Sequence, residues 1–192
     1  MRSSPFALLL VLVVAAPRPS QAQDSTGPAA FVITGPQQGD RAPDFSLPWA
    51  TGDTVSGETW FSLSAQRGRV VVLAFYPHDF AQQSTEQMQT FAARSVELFG
   101  PEVVVVGVGP DSVESHRRFA ASLSFPFKLL TDADLAVARK YGSATKDGSV
   151  RRTVFVLDTR GAVSYADYYF NARSSKSYDR LKSAVRLALH PR

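Results

Sequence analysis

The 192-residue chain contains no cysteine, which excludes disulfide bridges, thiolate–metal centres and catalysis by a sulfur nucleophile. Histidine is scarce as well. His78, His116 and His190 stand far apart with no pair at ligand spacing, so neither a metal site nor a cofactor is expected. An excess of one charge is also missing: 21 Lys and Arg stand against 17 Asp and Glu. With no basic run and no aromatic-spaced basic patch, nucleic acid is not expected as a partner. Long apolar runs are absent too, since the stretch Phe6 to Ala16 is too short to span a bilayer.

That short run has a use. Arg2, the apolar Phe6 to Ala16 and the small-x-small Ser20-Gln21-Ala22 follow in the order of a secretory signal, so cleavage near Ala22 is expected. The expectation is an exported protein, periplasmic or extracellular, without a stable membrane anchor. Loss of Arg2 and Arg18 leaves 19 basic against 17 acidic side chains, a net charge of +2. Residues 23–38 are rich in Gly, Pro, Gln and Ser and read as a flexible leader. The remainder, 39–192, is the length of one domain.

Periodicity sets out that domain. "RVVVLAFY", bounded by Gly68 and Pro77, is a continuous apolar run of the kind that forms a buried strand. From Ser84 to Phe99, apolar residues fall at Met88, Phe91, Ala92, Val96 and Phe99, which is helical spacing, and Gly100-Pro101 ends the element. "EVVVVGVG" is a second buried strand, followed by a helix opened by Asp111 or Ser112. "FKLL" predicts a short strand and Asp132 to Tyr141 a short helix. Thr153 to Leu157 and Val163 to Tyr169, joined by "DTRG", predict an antiparallel hairpin, and a last helix spans about Lys176 to Leu189. Crossovers first and a hairpin last imply an α/β architecture with a mixed sheet covered by helices.

Five ordered stretches, "GDRAPDFSLP", "GRVVVLAFYPHDF", "GVGPDSVESHRRFA", "FPFKLLTDADLAVARKYG" and "RRTVFVLDTRGAV", resemble the peroxiredoxins of the alkyl hydroperoxide reductase and thiol-specific antioxidant family. The likeness is nearest to the peroxiredoxin Q, or bacterioferritin comigratory protein, branch. It covers about Gly39 to Leu187 and implies a thioredoxin-like fold and thiol-dependent reduction of hydroperoxides. In that family the active loop reads P-x-x-x-T-x-x-C, and a distant arginine precedes a T-F-V-I-D strand. Carried over, Pro77 matches the proline and Arg152 the arginine, whereas Ala81 replaces the threonine and Ser84 the peroxide-attacking cysteine. The position where that branch often carries a resolving cysteine holds Gln89. The Pro-Gly pair usually found between the threonine and cysteine positions is here Gln82 and Gln83, and the usual helix-start Glu is Gln87.

Serine inherits the location without the chemistry. A thiolate is reached at neutral pH and is oxidised to a sulfenic acid, whereas an alkoxide needs a base and oxygen has no counterpart to that acid. Ser84-Thr85-Glu86-Gln87 has the form of a capping box, so Ser84 is expected to cap the helix. A relay of Ser84, His78 and Asp79 is the catalytic alternative. Arg152 is expected either to hold an anion with the free N–H groups of the helix start or to pair with Glu86 or Asp79. His78 is expected in an exposed loop, His116 at a solvated helix position, Met88 and Phe91 in the core, and Tyr165, Tyr168 and Tyr169 in the last strand. Three functions remain open at this point. They are a redox-inactive homologue binding a small anionic or peroxide-like ligand or a protein partner, a serine enzyme, and a structural or chaperone-like envelope protein. In each case the expected assembly is a monomer or weak dimer.

Overall fold

Strand β4 (Val71–Phe75) is apolar at every position because both of its faces are covered, and all five residues are buried. In a computed structural model that describes residues 34–191, β4 lies inside a six-stranded mixed sheet. The expected signal peptide and residues 23–33 of the leader lie outside the described residues. Beside β4 run β5 (Val104–Gly109) and then β6 (Lys128–Thr131), all parallel. On its other side β7 (Thr153–Leu157) is antiparallel and pairs in turn with β8 (Val163–Asp167), the hairpin expected from "DTRG". The two-residue β2 (Trp49–Ala50) closes the opposite edge against β6. Outside this sheet, β1 (Ser46–Leu47) pairs with β3 (Phe61–Ser62).

The alternation of β4 divides the core. Val72 and Ala74 face one cluster with Met88 and Phe91 of α1 (Gln82–Ala93), Phe119 of α3 (Val113–Ser122) and Leu181 and Val185 of α5 (Ser175–Leu189). Val71, Leu73 and Phe75 face a second cluster with Val137 and Ala138 of α4 (Ala136–Lys140), Tyr141 and Phe155. Met88 and Phe91 are fully buried, as their spacing predicts.

The single helix expected over Ser84 to Phe99 is instead two. It breaks at Arg94, and α2 (Ser95–Leu98) follows. Arg94 holds Glu97 through two guanidinium bonds, and Glu97 also accepts from Lys182 of α5, so α2 turns to dock on α5. Beyond the break the helical phase is lost, and Val96 is 83% exposed rather than in the core. Helix α4 likewise starts at Ala136 rather than Asp132, because the buried Asp132 carboxylate accepts from the N–H groups of Val137 and Ala138 across a turn with Leu135 at φ +57°. Tyr168 and Tyr169 fall just past β8; Tyr168 is buried and Tyr169 exposed.

Candidate functional site

The C-terminal end of β4, the loop 77–81 and the first turn of α1 form one face. The β4–β7 register, which pairs Phe75 with Thr153, brings Arg152 beside that loop. A hairpin closed by the Ala144–Val150 bridge feeds into β7, and the buried hydroxyls of Ser143 and Thr153 bond at 2.6 Å, fixing where Arg152 enters.

The loop is anchored from below. Tyr76 Oη donates to Asp79 Oδ1 at 2.8 Å, and Ser115 Oγ donates to Asp79 Oδ2 at 2.8 Å. His116 Nδ1 lies 2.9 and 3.0 Å from the two carboxylate oxygens. With Tyr76 and Ser115 both donating, the carboxylate accepts from Nδ1–H as well, which fixes the proton of His116 on that nitrogen. The backbone N–H of Asp79 donates to Asp111 Oδ2 at 2.9 Å. Burial, followed by the charge of Asp79, pushes the Tyr76 hydroxyl well above its ordinary pKa. His116 is therefore a fully buried residue and not the solvated one expected. Its spacing carried the signal, since residues 116, 119 and 120 share one helical face with Phe119 and Ala120. Above this anchor Phe80 adopts φ +57° with its ring 4.9 Å from that of Phe119, and the loop delivers the chain to α1.

Helix α1 begins three residues earlier than its capping-box reading requires. Ala81 is the N-cap, in extended conformation and without a side-chain cap, so Ser84 is the third helical residue and its Oγ caps nothing. Ser84 is fully buried, and its Oγ has no hydrogen-bond partner among the described residues. One turn on, Gln87 is also fully buried; its Oε1 accepts from Arg152 Nη1 at 2.6 Å while its Nε2 has no partner. This predicts the sign of a simple test. Ser84→Ala should leave the urea midpoint unchanged or slightly raised, because it removes an unpaired buried hydroxyl, whereas loss of a cap would lower stability by about 1 kcal/mol.

The serine relay does not form. His78 is exposed and its Nδ1 lies 3.6 Å from Asp111 Oδ2, and Asp79 is turned inward to Tyr76, Ser115 and His116. The expected ion pair of Arg152 is also absent among the described residues. Glu86 is held instead by Arg173, at 2.7 and 2.9 Å, which lowers the pKa of its carboxyl. Arg152 is half-buried, and burial draws its pKa below the ordinary guanidinium value. Gln87 was the residue sequence reasoning missed as an Arg152 partner. Pro77 and Ala81 stand in the loop that leads to α1, Ser84 in its first turn, and Arg152 reaches the same helix through Gln87.

Comparisons with known proteins agree on one family and one fold. The profile of the AhpC/TSA family matches residues 38–166. A putative peroxiredoxin bcp of Coxiella burnetii is 33% identical over 133 residues, 66% of this chain and 84% of that protein. Among solved structures, the bacterioferritin comigratory protein of Xanthomonas campestris, described for its alkyl peroxide reduction activity, superposes with a TM-score of 0.64 at 28% identity, covering 74% of this chain and 92% of its own. The peroxidoxin BcpB of Mycobacterium tuberculosis gives a TM-score of 0.67 at 27% identity, covering 79% and 97%. The mixed sheet flanked by helices is the thioredoxin-like fold of these proteins.

Proposed function

The chain belongs to the AhpC/TSA family of peroxiredoxins, and from that membership we propose that it is an exported, redox-inactive homologue whose former active-site face serves for binding. The observation that carries this reading is position 84. At the start of α1, next to the arginine that reaches that helix, a fully buried serine stands in a chain without cysteine. A helix N-terminus and a nearby cation lower the pKa of a thiol enough to make it a nucleophile at neutral pH. The same two influences leave a serine hydroxyl protonated, and no base lies against Ser84 Oγ among the described residues. The oxidation of thiolate to sulfenic acid, which stores the oxidising equivalents of a peroxide, has no oxygen analogue.

Ala81 removes a second part, the hydroxyl that the family pattern places in the loop to help bind peroxide. Export is supported by the order of Arg2, Phe6 to Ala16 and Ser20-Gln21-Ala22. The protein is read as a monomer or weak dimer in that compartment, with a small ligand or a protein as its partner.

The two lost groups can be returned. Ser84→Cys alone should give a thiol that hydrogen peroxide oxidises slowly, and the double variant Ala81→Thr, Ser84→Cys should react about tenfold faster, as one regained hydrogen bond to the reacting peroxide allows. Stopped-flow with mass detection of the sulfenic acid reads both rates. If neither variant outpaces free cysteine, residues 77–84 are not the remnant of a peroxidase loop.

A further inference from the structure

We propose that the cleft beside the N-terminal ends of β4, β5 and β6 is a binding site for a small organic carboxylate whose apolar body is about the size of one ring. It lies at the opposite end of β4 from the loop 77–81 and stands apart from the reading given to that loop.

The cleft exists because β5 outruns its neighbour. Strand β6 pairs with β5 only from Val106, opposite Lys128, and the residues just before it are Pro126 and Phe127. Pro126 has no N–H with which to continue the ladder. Val104 and Val105 are accordingly only half-buried, although the four residues that follow them in this central strand are buried. With Pro101, Pro126 and Phe127 these valines line a space of about 340 Å³, at the small end of the ~300–1,000 Å³ typical of small-molecule sites.

The charge around that space is of one sign. Arg69 and Lys128 line it, and no acidic side chain does. Neither cation forms an ion pair among the described residues. Arg69 is exposed just before β4. Lys128 Nζ stands 3.7 Å from the centroid of the Trp49 ring, a contact that holds the ammonium without cancelling its charge. Glu102, the carboxylate next along the chain, lies against Gly100 and lines a separate cleft with Lys182 and Arg186 of α5. Ser95 contributes a hydroxyl to the cationic cleft.

An apolar floor between two cations complements a ligand that is apolar at one end and anionic at the other. An inorganic anion meets the charge but leaves the valines in water. A neutral ring compound covers the valines but leaves both cations unbalanced.

The test is an NMR titration of the full chain with sodium phenylacetate at constant ionic strength. Phenylacetamide serves as the neutral isostere, and sodium acetate keeps the charge without the ring. With phenylacetate, saturable shifts are expected at the amides of Val103 to Val105, Phe127 and Lys128, and both comparison compounds should bind about tenfold more weakly. Arg69→Gln should weaken phenylacetate about tenfold and Arg69→Glu should abolish saturation. Both variants should fold as the parent chain does, because the Arg69 side chain is exposed and makes no hydrogen bond or ion pair among the described residues. Equal affinity for either comparison compound, shifts that do not saturate or that centre on the start of α1 instead, or unchanged binding in Arg69→Glu would overturn the proposal.

Discussion

Asp79→Ala is expected to destabilise the protein by about 3–5 kcal/mol, because removing one partner of a buried, hydrogen-bonded charge network leaves the others uncompensated. The Asp79 carboxylate is the common acceptor for Tyr76, Ser115 and His116. Tyr76 and His116 have no exposure and the Asp79 side chain only 1%, whereas Ser115 is half-buried. Without the carboxylate, the hydroxyl of Tyr76 falls back on His116 Nδ1 alone, 3.2 Å away, and Ser115 loses its acceptor. His116 Nε2 is already without a partner among the described residues, and Nδ1 exchanges its bond to a carboxylate for a longer one to a neutral hydroxyl. Urea unfolding should show the midpoint falling by at least about 1 M for a domain of this size. Asp79→Asn keeps one acceptor oxygen and should fall between the two. A change for Asp79→Ala below about 1 kcal/mol, within the range of ordinary surface substitutions, would mean that the cluster does not hold the loop.

Phe91→Ala should lose a comparable amount, about 3–5 kcal/mol, through the cavity it leaves in the core. Phe91 is fully buried on the inner face of α1. Its ring meets those of Phe99, Phe170 and Tyr178 edge-on at centroid distances of 5.1, 6.0 and 6.1 Å. These contacts seat the site helix on α5 and on the chain leading into it. Phe91→Leu keeps most of the apolar volume and should be milder, at about 1–2 kcal/mol. Equal losses for alanine and leucine would point to the shape of the aromatic cluster, rather than to volume, as the source of stability.

The elements that sequence made legible are those in which a local pattern and the tertiary outcome coincide. The runs around β4 and β5 are apolar at every position because both faces of a central strand are covered, and that same composition is what identifies them. Ser112 caps α3 as expected, accepting from the Ser115 N–H at 3.2 Å, and the β7–β8 hairpin follows from turn chemistry at Asp158, whose Oδ1 accepts from the N–H groups of Arg160 and Ala162. The places where expectation failed depend on partners far along the chain. The start of α1 is set by Asp79, and Asp79 is held by His116 of another helix, so a capping-box pattern at Ser84 could not reveal that Ala81 is the N-cap. The break at Arg94 depends on Glu97 meeting Lys182 of α5. Gln87 reads as an ordinary helix residue until the β4–β7 register brings Arg152 to its amide. The candidate site was thus visible as four positions, while its donor-rich interior was visible only in the fold.

The central claim is that family architecture has been kept while thiol peroxidase chemistry has been lost, and steady-state peroxide consumption tests it most directly. The full chain is to be supplied with hydrogen peroxide or an organic hydroperoxide, together with thioredoxin and its reductant. The expected rate is that of the heat-denatured protein at the same concentration. Protein-dependent, saturable loss of peroxide coupled to oxidation of the reductant would contradict the account.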